Sequence, residues 1–380
     1  MRTLRSVLFW THLAAGVLAG AVVLIMSATG VLLTYQRQLQ HWADVRGLTV
    51  NAFPGATPLS ADSLLSLVTA REGKRPATAL WRVDPMAPVE VSFGRDGRAY
   101  VDPYTGAVLG TGNASMRRFF GGVTDWHRWL ARAGEARAMG RKITGAANLA
   151  FLVIVLSGMW LWWPRNLTWK AVRQVTWFRR GLAAKARDFN WHNVIGFWSA
   201  IPLALVVASG VVISYPWASR LVYAAVGEPA PGATGAGSAP APAPATVPSP
   251  EAEVRVGDVV AIAAQRVPEW TSISVAWPRS ASAPLVYTID AGTGGEPQKR
   301  GTLTVSRTSD STTWAPFASQ STGRQLRSWL RFLHTGEALG LLGQTIAGLV
   351  SLGAVVLVYT GLALSVRRLA ASLKRRARAA

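Results

Sequence analysis

The chain has 380 residues, half of them apolar, a formal net charge of +21 and no cysteine. That length holds two or three soluble domains, or a membrane core with attachments. The lack of cysteine excludes disulfides, cysteine-ligated iron–sulfur clusters and the C-x-x-C-H attachment of c-type haem, so any haem would be held without a covalent link.

Four stretches carry no formal charge: Ser6–Gln36, Ile143–Pro164, Phe189–Ser219 and Ala338–Val366. Each exceeds the roughly 20 residues that a helix needs to cross the hydrocarbon. Residues 1–36 read as the first span, an uncleaved anchor, because the apolar part is long for a signal peptide and the A-x-A signal is poor. Residues 37–125 read as a small α/β domain. An amphipathic helix is predicted over Ala61–Arg71, with strands over Pro88–Phe93 and Arg98–Asp102 and the turn signals GRDG and DPYTG. Residues 126–164 hold the approach to the second span and the span itself. Residues 165–188 form a basic loop with Arg165, Lys170, Arg173, Arg179, Arg180, Lys185 and Arg187.

The third span occupies residues 189–219. Residues 220–250 form a linker whose Pro/Ala/Gly stretch, Pro229–Pro250, cannot build a core. A second α/β domain, 251–328, has a helix predicted over Val256–Val267 and strands over Ser272–Trp277 and Pro284–Asp290. Trp81, Trp270 and Trp277 read as domain core before docking contacts. Residues 329–366 hold the approach to the fourth span and the span, and 367–380 form a basic tail. With four spans, the N-terminus, the 165–188 loop and the tail share one side. Their arginines and lysines give the positive-inside pattern, with both termini cytoplasmic. A membrane protein thus accounts for the charge, and nucleic acid is not needed as a partner.

The spans match one another. His12, Gly16, Gly30 and Tyr35 recur 180 positions later as His192, Gly196, Gly210 and Tyr215. Gly140, Gly145 and Gly158 recur 203 positions later as Gly343, Gly348 and Gly361. The fold class expected is an α-helical membrane protein of four transmembrane helices, arranged as two parallel repeats of span, outer domain, span.

Of the five histidines, His12 and His192 are repeat mates at the inner edge, and His127 and His334 precede the second and fourth spans on the outer side. A two-fold axis along the membrane normal would face His12 with His192 and His127 with His334. Opposed imidazoles are the axial ligands of a six-coordinate haem. Gly16 and Gly196, four residues after their histidines, lie on the same helix face and leave room for a flat macrocycle. Trp10, Trp126, Trp191 and Trp329 lie near the four histidines, and Arg5, Arg128 and Arg331 are candidates to meet propionates. Tryptophans at span ends also serve as an aromatic belt, and spaced glycines as helix packing. A histidine at a membrane edge is often only interfacial, yet ionisable residues in spans are costly and by default functional. A zinc or iron site lacks donors, with only Glu337 near His334 to extend one. His41 reads as a surface histidine and a spare donor. No G-x-S-x-G, H-E-x-x-H, P-loop or nicotinamide fingerprint occurs.

THLAAG with SATGVLLTY, VDPYTGAVLG, DWHRWL before GRKITG, NWHNVIG with ASGVVISY, and LHTGEALG before GQTIAG and YTG form an ordered set over nearly the whole chain. In these the chain resembles the PepSY-associated transmembrane family, which includes iron-regulated inner-membrane proteins and ferric-siderophore reductases. VDPYTG is similar to the end of a PepSY domain, and the second outer domain is a poorer match. The resemblance implies two haem b groups held by His12, His127, His192 and His334. It also implies two PepSY-like periplasmic domains and electron transfer across a bacterial inner membrane to a ferric siderophore or another iron chelate. Some relatives carry a fused flavin/NADPH reductase, whereas this chain runs fourteen residues past Val366. The expected donor is therefore a quinol or a separate cytoplasmic reductase. Two rivals stand beside this reading. One is a haem-free PepSY protein that binds or regulates a periplasmic partner such as a peptidase. The other is an iron-chelate transporter, which the parallel repeat suits but which lacks a mid-depth carboxylate.

Overall fold

The computed structural model describes residues 2–52, 55–163, 168–231, 256–276, 283–306 and 311–379. Trp277, Arg165 and most of the Pro/Ala/Gly stretch lie outside these residues. In chain order the elements are α1 (Arg2–Leu33), α2 (Gln36–Val45), α3 (Ala61–Glu72), β1 (Thr78–Arg82), β2 (Val89–Ser92), β3 (Arg98–Val101), β4 (Val108–Gly110), α4 (Ala114–Trp129), α5 (Ala136–Trp162), α6 (Trp169–Thr176), α7 (Ala184–Ser214), α8 (Pro216–Ala224), α9 (Val256–Arg266), β5 (Ser272–Ala276), β6 (Leu285–Asp290), β7 (Arg300–Val305), β8 (Thr312–Pro316), α10 (Thr322–His334) and α11 (Gly340–Ala379). They form two compact units. One is Met1–Gln36, Phe119–Val222 and Trp329–Ala380; the other is Arg37–Arg118 and Tyr223–Ser328.

The first unit is a ring of four long helices. α1 packs on α5 and α11, and α7 packs on the same two. By length and composition all four can cross a membrane. Their outward faces carry exposed Leu18, Leu156, Ile201, Leu205, Leu349 and Leu352. An apolar surface of that extent suits lipid rather than water. Inside, small residues bring the backbones close. A Cβ on Gly20 would touch Leu362, and one on Gly353 would touch Ile195. Val155, Leu203, Val207, Val350 and Ala354 fill the centre.

Two tight reversals feed the bundle. Between α4 and α5 the chain turns through Leu130 and Ala131, both at positive φ. Gly140 then lies against the Trp129 carbonyl, where any Cβ would collide. Thr144 Oγ1 donates to the Arg128 carbonyl at 3.0 Å and fixes the turn. Between α10 and α11, Gly336 at φ 76° makes the reversal, and Gly343 lies against its carbonyl. At the other end residues 168–188 of the basic loop fold back onto themselves. Buried Asn190 accepts from Arg179 N at 3.0 Å and donates to the Gln174 and Trp177 carbonyls. Buried Asp188 pairs with Arg187 and, at 2.6 Å, with Arg367 of α11.

The second unit is one eight-stranded antiparallel sheet in the order β4-β3-β2-β1-β5-β6-β7-β8. Val89, Val91, Ala99 and Val101 in one half, and Ile273, Val275, Tyr287, Ile289 and Leu303 in the other, alternate onto one face. Leu64, Leu65 and Val68 of α3 and Ala263 of α9 cover that face. The two predicted α/β segments contribute to one shared sheet. Each helix with its four strands would leave β1 or β5 as a bare edge. Pairing Leu80 with Ser274 and its neighbours satisfies both rows of backbone groups at once. Each predicted hairpin also grows to four strands. Trp81 and Trp270 pack on this core. The VDPYTG turn is built on buried Asp102, which accepts from the backbone N–H groups of Asn51, Tyr104 and Thr105. Burial pushes this carboxyl up, and those N–H groups hold it below the ordinary value.

Candidate histidine-pair sites

The first unit brings four histidines together as two pairs. His12 of α1 faces His192 of α7 with ring centroids 6.3 Å apart. His127, at the end of α4, faces His334, at the end of α10, at 6.4 Å. The Gly140 and Gly343 reversals make the second pair, because they fold α4 and α10 back onto the bundle. His127 thereby reaches Met26 and Thr29 of α1, and His334 reaches Val206 and Ser209 of α7.

Each ring uses Nδ1 in the same way. His12 Nδ1 lies 3.0 Å from Ser157 Oγ and His192 Nδ1 3.0 Å from Thr360 Oγ1. His127 Nδ1 lies 3.0 Å from Thr29 Oγ1 and from the Met26 carbonyl. His334 Nδ1 lies 2.8 Å from the Val206 carbonyl and 3.5 Å from Ser209 Oγ. All four hydroxyls donate their own hydrogen to a carbonyl of their helix: Ser157 to Val153, Thr360 to Val356, Thr29 to Ile25 and Ser209 to Val206. Carbonyls and committed hydroxyls can only accept. The network therefore assigns the proton to Nδ1 and leaves the Nε2 lone pair for a ligand.

A glycine seats each ring. A Cβ on Gly158 would lie 3.3 Å from His12 Cε1, and one on Gly361 3.3 Å from His192 Cε1. On Gly30 it would lie 3.7 Å from His127 Cε1, and on Gly210 3.1 Å from His334 Cε1. The hydroxyls follow the same spacing: Ser157 and Thr360 are 203 apart, Thr29 and Ser209 180 apart. Reading the sequence found the histidines and the glycine series but not the glycines' task, and it missed the hydroxyls. Their shared offsets were the available signal. Gly16 has open space where a Cβ would stand, and Gly196 meets only Leu357 at 3.7 Å.

These features fit haem. His12 with His192, and His127 with His334, would each supply two imidazoles, the donor set of a six-coordinate haem. Rings anchored through Nδ1 present Nε2 for a metal, and Gly16 has no neighbour within 4 Å of a Cβ position, which suits a macrocycle. Among the described residues no group of three or more His, Cys, Asp or Glu gathers to make a metal site of protein ligands alone. Glu337 instead accepts from Thr335 Oγ1 at 2.9 Å. His41 belongs to the second unit, where Arg82 approaches its Nδ1 at 3.4 Å. Burial, then Arg82, holds its pKa below the ordinary histidine value, against Asp44.

The propionate candidates divide. Arg5 is taken up at the end of α5, donating to the Leu161 and Trp163 carbonyls at 2.8 and 3.3 Å. Arg128 adjoins His127 in the chain, and Arg331 lies one turn before His334 on α10. Arg128 and Arg137 lie over the Trp129 ring, at 4.6 and 3.9 Å. Burial, then the charges of Arg141, Arg331 and Arg137, holds Arg128 below the usual arginine value, with Asp125 opposing. Trp10, Trp126 and Trp191 are exposed, as belt residues are.

Bundle and site together define a multi-pass α-helical membrane protein with two facing histidine pairs inside its helices. The chain belongs to the family of the PepSY-associated TM region, whose model matches residues 9–368. No curated protein matches the chain.

Proposed function

We propose that this protein is a di-haem b electron-transfer protein of a bacterial inner membrane that reduces a ferric siderophore or another iron chelate on the periplasmic side. The observation that carries the reading is the pair spacing of 6.3 and 6.4 Å, with every Nδ1 committed and every Nε2 left for a metal. His12 with His192 would hold one haem, and His127 with His334 the other. Bound there, haem supplies one-electron redox chemistry. Ser157, Thr360, Thr29 and Ser209 fix ring orientation and tautomer. Thr29 and Ser209 lie seventeen residues beyond His12 and His192, which sets the two levels about 25 Å apart along the helices. That spans most of an approximately 30 Å hydrocarbon core.

The basic loop and tail orient the His12/His192 level toward the cytoplasm, where a quinol or a separate reductase is the donor. The two halves are read as parallel repeats, and the second unit as two PepSY-like domains joined edge to edge in the periplasm. Reduction to Fe(II) weakens a chelate's hold on its metal.

The test is a pyridine haemochrome assay with oxidised and dithionite-reduced spectra on protein expressed with ample haem. Two haem b per chain, falling to one in His192→Ala, is the expected result. A colourless protein would overturn the reading.

A further inference from the structure

The outer end of the second span runs against the charge rule that orients the chain. Residues 125–142 carry Arg128, Arg132, Arg137, Arg141 and Lys142 against Asp125 and Glu135. In the orientation proposed above this segment is translocated, and translocated flanks are ordinarily poor in lysine and arginine. Cations retained there need another reason.

The cations are gathered, not scattered. Arg137 and Arg141 lie one turn apart on one face of α5, Arg128 adjoins His127, and Arg331 is on α10, whose His334 ring lies 6.4 Å from that of His127. The charges of the other three arginines bear on Arg128, with Asp125 opposing. Asp125 is already bridged by Arg137 at 3.3 Å. Arg128 and Arg137 both stack on the Trp129 ring, 4.6 and 3.9 Å from its centroid. All four arginines are exposed. Arg128 adjoins His127 in sequence, and Arg331 lies one turn before His334 on α10. The cluster is not part of the paired pattern around the histidines. Position 344, 203 residues after Arg141, is glutamine, and position 335, 207 after Arg128 as His334 is after His127, is threonine. The repeat relates the two sides of one level, so a group serving both sides of the His127/His334 pair alike would follow it, and this cluster does not.

We propose that Arg128, Arg137, Arg141 and Arg331 form a docking site for an anionic, carboxylate-bearing iron chelate beside the outer histidine pair. The inference rests on the function proposed above and names its substrate class. Guanidiniums with more positive charge than Asp125 neutralises match carboxylates in bidentate geometry, and their summed field draws anions to this end of the bundle. Cationic chelates are disfavoured by the same field.

The test is calorimetric titration of the full chain in phosphatidylcholine nanodiscs with gallium(III) citrate, a redox-inert stand-in, and with a cationic gallium trihydroxamate. The citrate complex should bind at low salt, more weakly at physiological salt, and at least about tenfold more tightly than the trihydroxamate. The double variant Arg137→Gln/Arg141→Gln should weaken citrate binding by about tenfold or more, with haem content and spectrum unchanged. Arg137→Lys/Arg141→Lys, which keeps the charge, should retain most of the affinity and controls for folding. Equal affinity for both chelates, or wild-type binding in the glutamine variant, overturns the docking site. Loss of one haem spectrum in that variant also overturns it, by assigning the arginines to propionates. Gallium binding is independent of electron transfer. A colourless protein that binds gallium citrate therefore overturns only the di-haem reading, and a coloured one that does not bind overturns only the docking site.

Discussion

At the residue scale the sites are four imidazoles held by neighbours that occur in matching places. The histidines were legible because the chain has five and two stand in otherwise apolar spans. The hydroxyls were not, because serine and threonine in a helix commonly satisfy a carbonyl one turn back and so attract no notice. Ser157 and Thr360 come opposite a histidine by the packing of α5 on α1 and of α11 on α7, and Thr29 and Ser209 by the folding back of α4 and α10. Two predictions belong here. Thr360→Val removes the acceptor of the His192 Nδ1 proton, makes the ring a weaker donor and should raise the midpoint potential of one haem. A hydrogen bond of ordinary strength corresponds to a shift of about 20–60 mV, read by redox titration with ligation unchanged. Gly361→Leu drives a branched side chain into the ring seat of His192 and should remove one haem, while the second keeps its spectrum. Two haems in that variant would disprove the seat.

At the scale of elements the outer pair depends on two reversals. Gly140→Val places a side chain on the Trp129 carbonyl. It should cost about 1–3 kcal/mol of thermal stability and lower occupancy of the outer haem before the inner one. A melting curve with haem quantification checks both. The strands show what alternation makes visible. Val89–Ser92 alternates buried and half-buried positions and was read directly. Thr78–Arg82 does not alternate and was missed, although it sits at the centre of the sheet. Val108–Gly110 is too short to carry a pattern. The helices Ala61–Glu72 and Val256–Arg266 were read to within a residue at each end. The first has a serine N-cap at Ser60 and a left-handed glycine at Gly73 as local punctuation.

At the scale of the whole molecule the orientation is open to a clean measurement, because the chain has no native cysteine. Single cysteines at Lys170 and Glu72 report the basic loop and the second unit. In intact spheroplasts a membrane-impermeant maleimide should label Glu72→Cys at once and Lys170→Cys only after permeabilisation. The reverse pattern would invert the proposed topology and move the arginine cluster to the cytoplasm.

The sequence by itself determined the spans, the charge asymmetry and the histidines, because each rests on composition over a window or on a rare residue. It also carried the offsets of 180 and 203 that relate the spans, and the motifs that carry the family resemblance. Only the tertiary structure decided that the rings meet at 6.3 and 6.4 Å, that hydroxyls fix their tautomers and that glycines seat them. It alone joined two four-stranded layers into one sheet. The reason is physical. Periodicity and charge are properties of a segment, whereas a facing pair, a ring seat and a shared strand edge exist only between segments far apart in the chain.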